Sequence, residues 1–179
     1  MRVVTPAVGL RLLKGQAGLD DTPHGEVIHH ALEWRVSTGR SLPEYLLLLQ
    51  PTSPCRTVQD IDGAVQLWAE TRQPVVGVTE PSKSPYWMYS LSESGELQEL
   101  LPKLSVTANR QDLPKTYVLN GAIYVADRIS LVENEGFIQN NTRAFIMPEA
   151  RSVDIDSELD WLAAEHYCQQ RAPRYRNQL

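Results

Sequence analysis

Two spacings of apolar residues divide this chain. Val27, Ile28, Ala31 and Leu32 recur at helical intervals after a weakly patterned start broken by Gly9, Gly15 and Gly18. Thr22 suits the N-cap of that helix and Pro23 its first position, and Gly39 and Pro43 close it. Tyr45-Leu46-Leu47-Leu48-Leu49 is a short unbroken apolar run, the pattern of a strand covered on both faces. The polar turn Gln50-Pro51-Thr52-Ser53-Pro54 stops it. Thr57, with Asp60 three residues on, predicts a capping box for a helix whose inward stripe is Ile61, Ala64, Val65 and Trp68. Pro74-Val75-Val76-Gly77-Val78 reads as a second buried strand. This order predicts an α/β fold, with the two runs as adjacent parallel strands joined by a helical crossover.

The pattern then changes. Trp87–Leu91 and Glu96–Leu100 flank Ser92-Glu93-Ser94-Gly95, which predicts a hairpin projecting from the main sheet. Tyr117–Ala126 is a further strand, and Gly121 inside it marks a bulge or a close approach by a ligand. Arg143–Met147 is another. A last helix from Ser157 to about Gln170 is expected to bury Leu159, Leu162, Ala163 and Tyr167, with a frayed tail after it.

Composition narrows the class. The 179 residues are 42% hydrophobic and 22% charged, which fits one soluble domain with a sizeable core. The net charge is −5 and no Lys/Arg block precedes the last ten residues, which argues against nucleic acid as a partner. No apolar run approaches the roughly 18 residues of a membrane span, and no signal-length stretch opens the chain. Cys55 and Cys168 lie far apart in sequence, so no disulfide framework is expected and a reducing cytoplasm is the default. His24, His29, His30 and His166 show no zinc-ligand spacing with them.

Val153-Asp154-Ile155-Asp156 is the most informative local feature. In an extended segment Asp154 and Asp156 share a face while Ile155 anchors inward. Two carboxylates so placed suit a hard cation that also holds phosphate oxygens. Alternatively, Asp156 caps the following helix, a common place for Asp, and Asp154 is merely solvated. Gln50 follows a buried strand, at the sheet edge where open α/β sheets bind ligands, or else belongs to an ordinary proline-stiffened turn. Asn120 and Tyr124 are expected to face one side of their strand, as ligand contacts or with Asn120 a core amide. Arg110 can grip a carboxylate bidentately or form a surface ion pair. No Gly-rich phosphate loop and no nucleophile elbow is present.

Taken together, these segments resemble the acylneuraminate cytidylyltransferases, the CMP-sialic acid synthetases. The resemblance rests on Asp20-Asp21-Thr22-Pro23, on Leu46–Thr57 (LLLLQPTSPCRT), on Arg110-Gln111-Asp112-Leu113-Pro114 followed by Asn120-Gly121-Ala122-Ile123-Tyr124, and on Asp154–Asp160 with Ala164-Glu165. It implies a three-layer Rossmann-like nucleotidyltransferase sheet with a projecting β-hairpin. On that reading 1–179 is a single partial domain whose first strands are missing, with 84–115 as the dimerisation excursion. The implied reaction is transfer of CMP from CTP to a nonulosonic, sialic-type acid with release of pyrophosphate. Asp154 and Asp156 would hold Mg²⁺ (or Mn²⁺), and Gln50, Asn120 and Tyr124 would contact the sugar. Arg110 would reach a substrate carboxylate from the neighbouring subunit of a cytoplasmic homodimer. The family's basic Gly-rich opening loop has no counterpart here. His24, Cys55 and Asn109 also depart from its usual residues. The chain alone is therefore expected not to catalyse CMP transfer, and the alternative is a non-catalytic remnant that dimerises or binds an acidic sugar.

Overall fold

The computed structural model describes residues 24–101, 112–134 and 136–171. Thr22, Pro23, Arg110 and the tail lie outside them. The chain runs α1 (His24–Ser37), β1 (Tyr45–Leu48), α2 (Val58–Thr71), β2 (Val75–Thr79), β3 (Tyr89–Leu91), β4 (Leu97–Glu99), β5 (Val118–Asp127), α3 (Arg128–Glu133), β6 (Arg143–Ile146) and α4 (Glu158–Arg171). Among the described residues four strands form one sheet in the order β1-β5-β2-β6, and β3 pairs with β4.

The α/β class holds, but the strand neighbours differ from expectation. β1 and β2 do point the same way, yet β5 lies between them, antiparallel to both, and β6 pairs parallel with β2. The residues explain the order. Ala122, Ile123, Val125 and Ala126 of β5 are all fully buried, so β5 suits the centre of a sheet covered on both sides. Among the described residues β1 takes the edge, and Leu47, expected to be buried, is 36% exposed.

Helices cover both faces. Ala64 and Trp68 of α2 pack on Val75, Ala122, Ile123, Val125 and Met147, with Ile61 and Val65 half-buried beside them, so the expected α2 stripe is present. On the other face Ile28 of α1 and Leu131 of α3 pack with Val76, Val78, Ala126 and Phe137. Leu32 is buried as expected, but Ala31 points to solvent.

α4 departs most. Leu159 and Leu162, expected inside, are 76% and 54% exposed, and the buried residue is Ala164. The small side chain lets the helix backbone come close to the loop after β1, where the Ala164 carbonyl accepts from the Cys55 thiol at 3.6 Å. Among the described residues no helix is long and apolar enough to cross a membrane.

Local signals fixed the helix and hairpin ends. Thr57 caps α2 in a capping box with Asp60, as the sequence predicts. Gly39, just beyond α1, has φ +68°, and Gly95 in the β3–β4 turn has φ +83°. The hairpin forms where the sequence places it, with Tyr89 opposite Glu99 and Leu91 opposite Leu97, so its second strand starts at Leu97, one residue later than expected. Its first strand starts late because Ser84 caps a single 3-10 turn over Pro85–Trp87.

Asp60 does more than cap. Arg151 Nε donates to both its carboxylate oxygens at 3.0 and 2.9 Å, tying α2 to the segment before Asp154. Burial pushes the Asp60 carboxyl upward, but the Thr57 hydroxyl, the Thr57 amide and Arg151 together hold it below its ordinary value. A carboxyl depressed on folding adds stability above the unfolded pKa, about 4, and loses it as pH falls through the folded value. Asp60→Asn should therefore cost about 1–3 kcal/mol at neutral pH. Urea unfolding from pH 7 down to pH 2 should show the gap to wild type closing in acid. A constant gap at every pH would remove this role.

Candidate functional site

The site sits at the C-terminal ends of the parallel strands β1, β2 and β6, where β5 begins. Gln50 follows β1, and Asp154 lies on the segment after β6. The Ile155 amide ties that segment to the Thr52 carbonyl at 2.8 Å. Between them the β5 backbone bulges. Val76 pairs with Tyr124 and Val78 with Leu119, so the residues from Asn120 to Ile123 face Gly77 alone.

Gly121 makes that bulge possible. Its φ is +68°, and a Cβ there would strike Gln50 Oε1, with Asp154 Oδ2 and Ser53 Oγ each 2.9 Å away. Three polar side chains thus converge on a space that glycine keeps open. Ser53, fully buried, lies 3.2 Å from Asp154 Oδ1 and 3.2 Å from the Asn120 carbonyl; its single hydroxyl hydrogen serves one at a time. Gly121→Ala should cost about 1–2 kcal/mol in backbone strain and displace the three side chains. A melting curve together with any ligand titration at this site should show both losses, and an unchanged melting temperature would refute the crowding.

The Gln50–Thr57 turn is stapled from beneath. Arg56 Nη1 donates to the carbonyls of Gln50 at 2.7 Å and Ser53 at 2.5 Å, and burial pulls its pKa below the ordinary value. Neither Ser53 nor Arg56 stood out in the sequence. The one signal was that both lie within the proline-stiffened turn.

Tyr124 packs its ring on Phe137, centroids 5.4 Å apart. Burial first, then the charge of Asp154, push its phenol above the ordinary value, so it stays a neutral donor at physiological pH. Asn120 and Tyr124 do not share a face as expected, because the bulge breaks the alternation. The Asn120 amide turns into the core, donating to Ser152 Oγ at 2.9 Å and Met147 Sδ at 3.4 Å, while its Oδ1 accepts from the Ala122 amide at 3.1 Å. It reaches the site through its carbonyl.

Asp156 is exposed, and it is not the helix cap. Ser157 caps α4 with Asp160, whose carboxylate accepts from the Ser157 hydroxyl at 2.6 Å and amide at 2.9 Å; the Ser157 hydroxyl bond leads in holding the Asp160 pKa low. Among the described residues no third His, Cys, Asp or Glu joins the pair in a metal-holding group. Mg²⁺ needs only one or two carboxylates when phosphates and waters complete its shell, so the donor chemistry fits. Nearby, Glu80, Pro81, Ser84, Leu113, Pro114, Lys115 and Thr116 line a cleft of about 390 Å³, with Lys115 Nζ 3.8 Å from Glu80.

No family model matches the chain. It is 36% identical over 123 residues to the CMP-N,N'-diacetyllegionaminic acid synthase of Legionella pneumophila, covering 67% of this chain and 52% of that protein. The post-translational flagellin modification protein B of Campylobacter coli is 31% identical over 121 residues, 67% of this chain and 51% of its own. An Escherichia coli N-acylneuraminate cytidylyltransferase is 32% identical over 120 residues, 66% of this chain and 28% of its own. The chain thus spans about half the length of the first two and less of the third. A solved 4-diphosphocytidyl-2C-methyl-D-erythritolsynthase from Anaerococcus prevotii superposes with a TM-score of 0.51 over 83% of this chain and 67% of its own, at 11% identity, and so shares the fold. Over about two thirds of its length this chain is thus similar to CMP-N,N'-diacetyllegionaminic acid synthases and N-acylneuraminate cytidylyltransferases.

Proposed function

We propose that this chain supplies the sugar-acid and metal side of a site that transfers CMP from CTP to a nonulosonic acid, with loss of pyrophosphate. The observation that carries the reading is the convergence of Gln50, Ser53 and Asp154 on Gly121 at the sheet edge. Similarity to a legionaminic and to a neuraminic acid enzyme supports the substrate class.

In-line attack at a phosphorus asks a protein mainly to position and to neutralise charge. Asp154, with Asp156, would hold Mg²⁺ (or Mn²⁺), which lowers the charge on the phosphate oxygens. Ser53 fixes the Asp154 carboxylate. Gln50 offers a donor and an acceptor to sugar hydroxyls, Tyr124 a neutral hydroxyl, and Asn120 holds the bulge that positions them. Arg110, outside the described residues, is assigned to the substrate carboxylate. We assign 84–115 to dimerisation. Trp87, Met88, Tyr89, Leu91 and Leu97 are all at least 43% exposed there, a surface that a second copy of the hairpin would cover. Light scattering should show a dimer that Leu91→Ser with Leu97→Ser converts to monomer, and a dimer surviving both would move the interface elsewhere.

The deciding experiment measures pyrophosphate release with CTP, Mg²⁺ and either N-acetylneuraminic or N,N'-diacetyllegionaminic acid. It uses the 179-residue chain beside a form extended by the codons upstream of Met1. Activity in the extended form alone, with either acid, upholds the reading, and activity in the 179-residue chain would show that this chain itself holds the nucleotide. Binding of the acid without turnover in both would favour the non-catalytic alternative, and neither binding nor turnover would overturn the assignment.

A further inference from the structure

Cys55 and Cys168 are 113 residues apart in sequence, yet their Sγ atoms stand 3.3 Å apart without being joined. Their surroundings differ. Cys55 is 1% exposed in the turn that carries Gln50 and Ser53, and Cys168 is half-buried in the penultimate turn of α4. The two are the chain's entire cysteine complement. Thiols in van der Waals contact need only a small approach of the two side chains to reach a bonded sulfur pair.

We propose that Cys55 and Cys168 form a reversible intramolecular disulfide site that locks α4 onto the Gln50–Thr57 turn when the thiol pool is oxidised. The oxidant is a low-molecular-weight disulfide. The Cys168 thiolate, the more accessible, attacks one of its sulfurs, giving a mixed disulfide on Cys168 and releasing one small thiolate. The Cys55 thiolate then attacks Cys168 Sγ, forms the Cys55–Cys168 bond and releases the second small thiolate. Two protein thiols are oxidised, one small disulfide is reduced, and the two protons pass to the departing thiolates.

The bond would close a long loop and restrain the unfolded chain. It would also fix the turn whose Gln50 and Ser53 face Gly121. The inference stands on the sulfur geometry and does not depend on the reaction proposed above.

The test equilibrates the 179-residue protein with glutathione at graded oxidised-to-reduced ratios, then reads alkylatable thiols, intact mass, linked peptides and melting temperature. Both thiols should disappear together with no retained glutathione and no dimer on a non-reducing gel. A Cys55–Cys168 peptide should appear, and the melting temperature should rise by about 5 °C or more, reversibly. In Cys55→Ala, glutathione should stay on Cys168; in Cys168→Ser, the Cys55 thiol should stay unmodified. These two variants keep the order of attack testable even if one is less stable, since both read mass. Retention of both thiols at the most oxidising ratio, glutathione persisting on wild-type Cys168, or a link between two chains would each overturn the proposal.

Discussion

Asp154→Asn should lower CMP transfer by about a hundredfold or more, with little change in melting temperature. The substitution keeps the shape and the acceptor that Ser53 meets at 3.2 Å, and removes only the charge. A structural role would therefore survive it and a charge-holding role would not. Asp156→Asn should act in the same direction. Ser53→Ala should cost roughly tenfold, because it frees the carboxylate without discharging it. Raising Mn²⁺ or Mg²⁺ should recover part of the Ser53→Ala loss and none of the Asp154→Asn loss. The measurement is initial pyrophosphate release across a metal titration in the active form, and full turnover in both aspartate variants would take them out of the site.

The largest stability effect is expected at Trp68. Its ring lies 4.4 Å from that of Tyr45, packs on Val75 and Val125, and carries the Arg72 guanidinium at 4.7 Å. Arg72 in turn pairs with Glu44 at 2.5 Å. Trp68→Ala should cost about 3–5 kcal/mol, a large share of the 5–15 kcal/mol of a typical domain. Trp68→Phe should cost far less. The buried indole N–H has no hydrogen-bond partner among the described residues, so losing it forfeits packing alone. Trp161→Ala is the control: that side chain is 60% exposed, and its loss should change stability by no more than about 0.5 kcal/mol. Equal losses at Trp68 and Trp161 in urea unfolding would disprove the assignment of the core.

These cases separate what is legible in a sequence from what is not. The α2 cap is legible because Thr57 and Asp60 are three residues apart and need nothing else. The hairpin turn at Ser92–Gly95 is legible for the same reason. The place of β5 is not, since an apolar run states that a strand is buried and not which strands it lies between. Leu47 shows the cost: within the most apolar run of the chain, it lies on an edge. α4 shows another limit, because Leu159 and Leu162 promised the inward face and Ala164 holds it. Close approach to the Cys55 loop selects for small side chains, which hydrophobic periodicity undervalues. At the site, Gln50 and Asp154 are marked out by their place after strands. The importance of Ser53 comes from a contact 101 residues away, which no local pattern carries.

The central position of β5 also sets an order of assembly. On the ribosome, β1 and β2 emerge with no partner for each other, since each pairs with β5. At about 5–20 residues per second, the roughly 50 residues between Thr79 and Asp127 take several seconds to synthesise. Throughout that interval β1 and β2 await the strand that pairs with both of them. The nascent chain is then most in need of a chaperone just before β5 leaves the exit tunnel.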